Sequence, residues 1–218
     1  MSNLVMHPIF SLTGADSTAL TMLGVIVHPV TEPGVYRGTI VAASGGERDF
    51  TLVVDASDLA QSVAIDLAAP PVAESGGCGC PGTGGATYRT GTGHVVFHVG
   101  SGVDRYYVRL GRAGAPAHDV FDSRTLRDGD RFAARLLRPG RYRVTELEHR
   151  HAATITVGRL GSRDRSRLRE PVRVSLGARG FSDRDLEVIS LQGLLIEVGA
   201  NAAIRIEPER FEDDDDSR

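Results

Sequence analysis

The two cysteines are the softest potential metal ligands of this chain, and they lie one residue apart in Cys78-Gly79-Cys80. Two thiolates on one glycine-rich loop could bind copper(I) or zinc, which accept sulfur ligands. Two ligands are too few for a closed site unless other residues or a second chain contribute, and a reactive but functionless surface loop is the alternative. A disulfide between such near neighbours would be strained, so we expect no structural disulfide here.

Two histidines, His94 and His98, lie four residues apart in a segment with the composition of a β-strand. Side chains alternate between the two faces of a strand, so both imidazoles are predicted to lie on the same side. They could be metal ligands, or they could be polar residues on a solvated face. His28 and His7 have no partner that the sequence suggests.

A basic segment follows the middle of the chain, and its arginines are Arg159, Arg163, Arg165, Arg167 and Arg169. It could bind phosphate or acidic lipid, or it could be a solvated linker or a mate for the acidic run Asp213–Asp216. No aromatic residue is interleaved with the arginines, and the formal net charge of the chain is −3. We therefore predict that nucleic acid is not a partner.

Common catalytic motifs are missing, since the sequence has no G-x-S-x-G elbow, no P-loop and no His-Glu-x-x-His pair. We predict that the protein is not an enzyme. The N-terminus lacks the basic and apolar regions of a secretory signal, which predicts a cytoplasmic protein as written, or an extracytoplasmic one if a leader has been removed. No apolar run reaches the roughly 18 residues of a membrane-spanning helix, so we expect no membrane span.

The elements that position these residues read as strands. Short runs rich in β-branched and aromatic residues, such as residues 23–27, 34–41 and 49–54, recur between turn residues. Many short strands at spacings of about 8 to 12 residues are typical of a sandwich or barrel. The sequence therefore predicts an all-β fold.

Composition divides the chain into segments that we take as candidate domains and linkers. These are a β-rich N-terminal half-sandwich (9–72), a glycine-rich linker that holds the cysteines (73–86), a central β domain (87–158), an arginine-rich linker (159–170), a β-rich C-terminal segment (171–210) and an acidic tail that we expect to be disordered (211–218).

The central segment carries an ordered set of motifs. They are Pro116-Ala117-His118-Asp119-Val120-Phe121-Asp122, Asp128-Gly129-Asp130-Arg131-Phe132, Pro139-Gly140-Arg141-Tyr142 and His149-Arg150-His151, followed by Thr154-Ile155-Thr156-Val157. Asp128-Gly129-Asp130 and Pro139-Gly140 each favour a tight turn, and glycine can adopt positive φ there. The order and spacing of these motifs resemble the C-terminal half of a cupredoxin, a copper-binding Greek-key β-sandwich.

The resemblance implies a degenerate copper site. His118 and His149 fall on the two histidine ligands of the family, whereas Glu146 occupies the position of the copper-ligating cysteine, and His151 lies near the place of the axial methionine. A blue-copper centre requires a thiolate, so we predict that this chain is not a blue electron carrier. The remaining donors, His118, His149, Glu146 and His151, suit zinc or copper(II). Alternatively, they are exposed and bind no metal.

The two ends of the chain resemble two further half-domains. Gly180-Phe181 and the strand pattern that follows it look like the opening of a cupredoxin, and Pro33-Gly34-Val35-Tyr36 echoes Pro139-Gly140-Arg141-Tyr142. We predict that residues 9–72 and 171–210 pack together as a second, split sandwich, because neither segment alone could bury both faces of a sheet. The alternative is that both decorate the edges of the central domain.

These observations together predict a non-catalytic, cupredoxin-like binding or assembly module. Its partner would be another protein or a second copy of the chain, since incomplete sandwiches leave unpaired edges that favour a homo-oligomer. The alternative function is that of a copper(II)- or zinc-binding protein that uses His118, His149 and Glu146. The cofactor is accordingly none, or one of these two metals.

Overall fold

The computed structural model describes residues 12–69, 85–114, 119–162 and 164–212. Within these ranges the strands are β1 (Ala15–Asp16), β2 (Gly24–Val30), β3 (Gly34–Ala42), β4 (Gly46–Val54), β5 (Ser62–Asp66), β6 (Ala86–Thr90), β7 (Gly93–His98), β8 (Tyr106–Arg112), β9 (Asp119–Asp122), β10 (Arg131–Arg135), β11 (Gly140–Glu146), β12 (Ala152–Gly158), β13 (Val172–Gly177), β14 (Gly180–Phe181), β15 (Asp185–Ile189), β16 (Gly193–Val198) and β17 (Ile204–Phe211). A short 3-10 helix, Asp164–Arg169, precedes β13. The predicted all-β fold is confirmed.

The strands form three sheets. The N-sheet has the order β6-β4-β3-β8-β9, the C-sheet has the order β15-β12-β11-β17-β1, and the central sheet has the order β5-β7-β2-β10-β16-β13-β14. Neighbouring strands are antiparallel except for four parallel pairs, which are β4 with β6, β5 with β7, β12 with β15 and β13 with β16. In the described ranges, no helix is long and apolar enough to cross a membrane.

Buried and exposed residues alternate along the strands, so one face of each sheet is buried. In β2 every second residue from Gly24 to Val30 is buried, and the residues between them are partly exposed. Buried side chains from all three sheets belong to one hydrophobic core. In that core Phe97 of the central sheet stacks on Phe121 of the N-sheet, with ring centroids 5.4 Å apart. The central sheet therefore turns one face inward, and no sheet formed by the described residues covers the other, its outer face.

The molecule is built from two similar repeats. Residues 16–39 and 122–145 align without a gap, and the identical pairs are Asp16/Asp122, Ser17/Ser123, Leu20/Leu126, Pro33/Pro139, Gly34/Gly140, Tyr36/Tyr142, Arg37/Arg143 and Thr39/Thr145. The strand pairs correspond as well: β2 with β7 matches β10 with β16, and β3 with β8 matches β11 with β17. The central sheet joins the repeats where β2 pairs antiparallel with β10.

Each repeat also lends its first strand to the other repeat. β1 precedes β2 in the chain but pairs with β17 in the C-sheet, whereas β9 precedes β10 but pairs with β8 in the N-sheet. Equivalent serine hydroxyls secure both exchanges, because Ser17 accepts the amide of Ile204 at 2.9 Å and Ser123 accepts the amide of Val108 at 3.0 Å. The two repeats are therefore interlocked.

The segments drawn from composition are distributed over this architecture. Segments 9–72 and 171–210 pair directly through β1 and β17 and share the central sheet. Strands of segment 87–158 lie in all three sheets, so hydrogen bonding does not set this segment apart from the other two. Phe211, placed in the acidic tail by sequence, is the last residue of β17. Residues 73–84 of the glycine-rich linker lie outside the described residues.

A buried tyrosine marks the start of the second long strand in each repeat. The Tyr36 hydroxyl donates to the carbonyl of Glu32 at 2.7 Å, and the Tyr142 hydroxyl donates to the carbonyl of Arg138 at 2.8 Å. The glycine two residues before each tyrosine, Gly34 or Gly140, has positive φ, and a Cβ atom at Gly140 would lie 2.3 Å from the carbonyl oxygen of Arg210. Pro-Gly-x-Tyr is therefore a structural motif that both repeats require.

We expect Tyr36→Phe and Tyr142→Phe each to lower the free energy of unfolding by about 1 kcal/mol, because each change removes one buried hydrogen bond. The losses should add in the double variant, since the two sites lie in different repeats. Urea denaturation followed by circular dichroism measures both. A loss at only one of the two sites would contradict their structural equivalence.

The two tyrosines should also make the free energy of unfolding depend on pH. Burial raises the pKa of both tyrosine hydroxyls above the ordinary value. A raised folded-state pKa stabilises the protein below the ordinary tyrosine pKa of about 10, and this stabilisation is lost as the pH rises through the folded-state pKa. Above about pH 10, stability should therefore fall more steeply in the wild type than in the double phenylalanine variant.

Candidate functional site

Glu146 closes the turn between β11 and β12. Its side chain is buried, and its two carboxylate oxygens accept the backbone amides of Glu148 at 2.8 Å and His149 at 2.7 Å. Its own amide donates to the carbonyl of His151 at 2.8 Å. Arg150 adopts φ +60, which allows the chain to reverse within these few residues. The carboxylate therefore stabilises the turn through hydrogen bonds to its backbone.

Two imidazoles line the same cavity as this carboxylate. His149 Nδ1 is 3.3 Å from the second Glu146 oxygen, and the His149 ring stacks on the His151 ring with centroids 5.9 Å apart. The His151 ring packs against Gly180, where a Cβ atom would lie 3.1 Å from it. Together with residues of the β13–β14 turn and the β16–β17 connection, the three side chains line a cavity of about 200 Å³.

The structure thus brings together three of the four residues that the resemblance suggested as ligands, Glu146, His149 and His151. His118 lies outside the described residues. Glu148, which sequence reasoning did not single out, adds a further donor, because ligand atoms of Glu146, Glu148 and His149 lie within 4.8 Å of one another. Imidazole and carboxylate donors at this separation suit zinc or copper(II).

Other residues with potential chemistry lie elsewhere. His94 and His98 share the outer face of the central sheet, opposite Pro29 and Val25 of β2. Cys78 and Cys80 lie outside the described residues. In the basic segment, Arg159 pairs with Glu212 at 2.9 Å and Arg167 pairs with Asp164 at 3.7 Å.

A buried polar pair escaped the sequence analysis. His28 Nδ1 lies 2.7 Å from Asp130 Oδ1, and the other Asp130 oxygen accepts the amide of Arg127 at 2.7 Å. His28 belongs to β2, whereas Asp130 directly precedes β10, so the pair joins the two repeats where their strands meet. The only sequence signal was a histidine at an inward-facing position of a strand, where an unpaired imidazole would be costly.

A second concave surface lies on the outer face of the central sheet, and we call it the outer groove. It has a volume of about 510 Å³. Its floor and walls are mainly apolar and include Val25, Val96, Ala133, Leu195, Leu168 and Pro171. His98, Arg135 and Arg169 also line it, and none of the described residues that line it is aspartate or glutamate. The outer groove therefore combines an apolar floor with a cationic rim.

The connection between β12 and β13 builds one wall of the outer groove. Residues 159–171 form this connection and contribute Leu168, Arg169 and Pro171. The equivalent connection of the first repeat, residues 55–61, is shorter and has no 3-10 helix. The outer groove thus depends on a segment that the second repeat has and the first repeat lacks.

Comparisons with known proteins give no family for this chain. No match was found among protein-family models, curated proteins or solved structures.

We expect Asp130→Ala to lower the free energy of unfolding by about 3 kcal/mol, because it leaves both His28 and the Arg127 amide without a buried partner. Asp128→Ala is the matched control, since Asp128 lies two residues away in the same turn but is exposed. Its effect should stay within about 0.5 kcal/mol. Urea denaturation compares the two, and equal losses would show that the buried pair does not stabilise the junction.

Proposed function

We propose that the chain is a non-catalytic, cupredoxin-like binding module that holds a partner protein in the outer groove. The outer groove carries the proposal, because a concave apolar surface on a sheet is a common site of protein recognition. The outer faces of the other two sheets contrast with it. Cross-strand rows there are charged and polar, as in Asp122-Arg109-Thr39-Asp49 of the N-sheet.

The outer groove also has the shape expected for a segment of protein rather than for an enclosed small molecule. Val25, Val96, Ala133 and Leu195 are each only partly buried, so the floor stays accessible along four neighbouring strands. Pockets for small ligands bury most of the ligand surface. An extended segment that lies across the strands needs no such enclosure.

A selection of random dodecapeptides displayed on phage tests this proposal. We expect enriched peptides to bind the wild type at least about tenfold more tightly than Ala133→Phe, in which the larger side chain fills the groove floor. Ser175→Phe is the control, because Ser175 is exposed on the outer face of the same sheet and pairs with Glu197 rather than with a groove residue. Peptides that bind both variants equally, or no enrichment at all, would refute the proposal.

Leu168→Ser gives a second test that leaves the sheets unchanged. Leu168 lies on the 3-10 helix and is partly exposed, so the variant should fold as the wild type does. Removal of this wall should lower the affinity of the chain for the selected peptides several-fold, which corresponds to about 1 kcal/mol of binding free energy. Fluorescence polarisation with a labelled peptide measures the change, and thermal unfolding verifies the fold.

A second candidate function is metal binding at the β11–β12 turn. The observation that favours it is the cavity lined by Glu146, His149 and His151, in which the His149 imidazole lies 3.3 Å from the buried carboxylate. The remaining lone pairs of the carboxylate could bind zinc or copper(II) without loss of the turn hydrogen bonds. The cupredoxin-like order of motifs suggests the same two metals and adds His118 as a further ligand.

Calorimetric titration with zinc and with copper(II) tests this second candidate. We expect one metal per chain, with affinity reduced at least about tenfold in His149→Ala and in His118→Ala. His94→Ala is the control, because His94 lies on the outer face of the central sheet. Absence of binding above background in the wild type, or equal affinity in all three variants, would exclude the site.

A further inference from the structure

The rim of the outer groove carries cations that have no acidic counterpart in it. Arg135 and Arg169 are exposed and line the groove, and neither forms an ion pair with any residue that the structure describes. Elsewhere the arginines of this chain commonly meet carboxylates, as Arg112 meets Glu32 at 3.0 Å. With a net charge of −3 over the whole chain, a purely cationic groove is a local reversal of sign.

Three acids, Glu197, Asp66 and Glu170, lie near this rim, but none of them lines the groove. Glu197, on the same outer face, pairs with Arg173 at 3.3 Å. Asp66 lies opposite His98 on the edge strand β5, and its Oδ1 accepts the amide of Gly100 at 2.8 Å. None of these carboxylates pairs with Arg135 or Arg169, so the hydrogen-bond donors of both guanidinium groups are available to a ligand.

The two arginines lie at the margin of the apolar floor. Arg135 lies on β10 two residues from Ala133, so both side chains lie on the outer face of the sheet. Arg169 ends the 3-10 helix, one residue after Leu168, which forms the wall. A ligand that rests on the floor would thus meet both guanidinium groups at the margin of the same groove.

We propose that the partner in the outer groove is an acidic segment of another protein, whose apolar side chains contact Val25, Val96 and Leu195 and whose carboxylates pair with Arg135 and Arg169. This inference rests on the proposed function of the groove. Guanidinium groups pair with carboxylates through two parallel hydrogen bonds, which sets the orientation of the segment. The apolar floor supplies affinity, and the arginines select against neutral and basic segments.

The composition of the selected dodecapeptides gives the first readout. We expect aspartate and glutamate to be enriched next to apolar residues relative to the unselected library. One selected peptide is then synthesised with its acids and with the corresponding amides. Fluorescence polarisation should show that the amide peptide binds the wild type at least about tenfold more weakly, and that affinity of the acidic peptide falls as NaCl rises from about 0.05 to about 0.5 M.

Charge reversal at the rim gives the second readout. The double variant Arg135→Glu/Arg169→Glu should weaken the acidic peptide at least about tenfold, because two attractive pairs become repulsive. The control Arg37→Glu/Arg89→Glu changes the net charge equally at two exposed arginines of the N-sheet. It should keep the affinity within about twofold, since neither arginine lines the groove.

The outcomes separate this inference from the proposed function. Selected peptides that are neutral or basic, or equal affinities of the acid and amide peptides, would overturn the acidic partner. If such peptides still lose affinity in Ala133→Phe, the groove keeps its binding function with a partner of another class. No selected peptide at all would overturn both proposals.

Discussion

The antiparallel pairing of β2 with β10 is the contact on which the rest of the structure depends. It places Ile26 opposite Phe132, both fully buried, and merges three strands of the first repeat with four of the second into one sheet. Separation at this junction would expose the core side chains of both repeats and leave two strand edges unpaired. The pair of His28 and Asp130 spans the same junction, and a shift in register would leave both of these buried groups without a partner.

The exchange of first strands makes the two repeats depend on each other a second time. Without β9 the N-sheet would end at β8, and without β1 the C-sheet would end at β17. The buried hydroxyls of Ser17 and Ser123 bond to strands of the opposite repeat, so neither repeat satisfies its buried polar groups alone. Junction and exchange together favour cooperative unfolding of the whole chain rather than loss of one repeat at a time.

Local sequence patterns predicted what is local in this fold. Runs rich in β-branched and aromatic residues identified the strands β2, β3 and β4, and the positive φ of Gly129 agrees with the turn expected at Asp128-Gly129-Asp130. The echo between the two Pro-Gly-x-Tyr motifs was noted, but the repeat to which both belong was not predicted, because the other shared positions, such as the Asp-Ser pairs, carry little signal. Strand exchange, the partner of His28 and the outer groove were not predictable, since each is a contact between segments far apart in the chain, and register between distant strands leaves no mark in local periodicity.

The two repeats share the hydrogen bonds that hold their strands together, and they differ in turns and connections that these bonds do not involve. Buried tyrosines and serines form the same hydrogen bonds in both repeats, because each half requires them to close its sheets. The turn after β3 consists of small residues between Ala42 and Gly46, whereas the equivalent turn after β11 holds Glu146 and two histidines. Likewise, only the second repeat has the long connection 159–171 that walls the outer groove. A duplicated framework constrains both copies equally, so function is best sought in features that one copy has and the other lacks, and both candidate sites are of this kind.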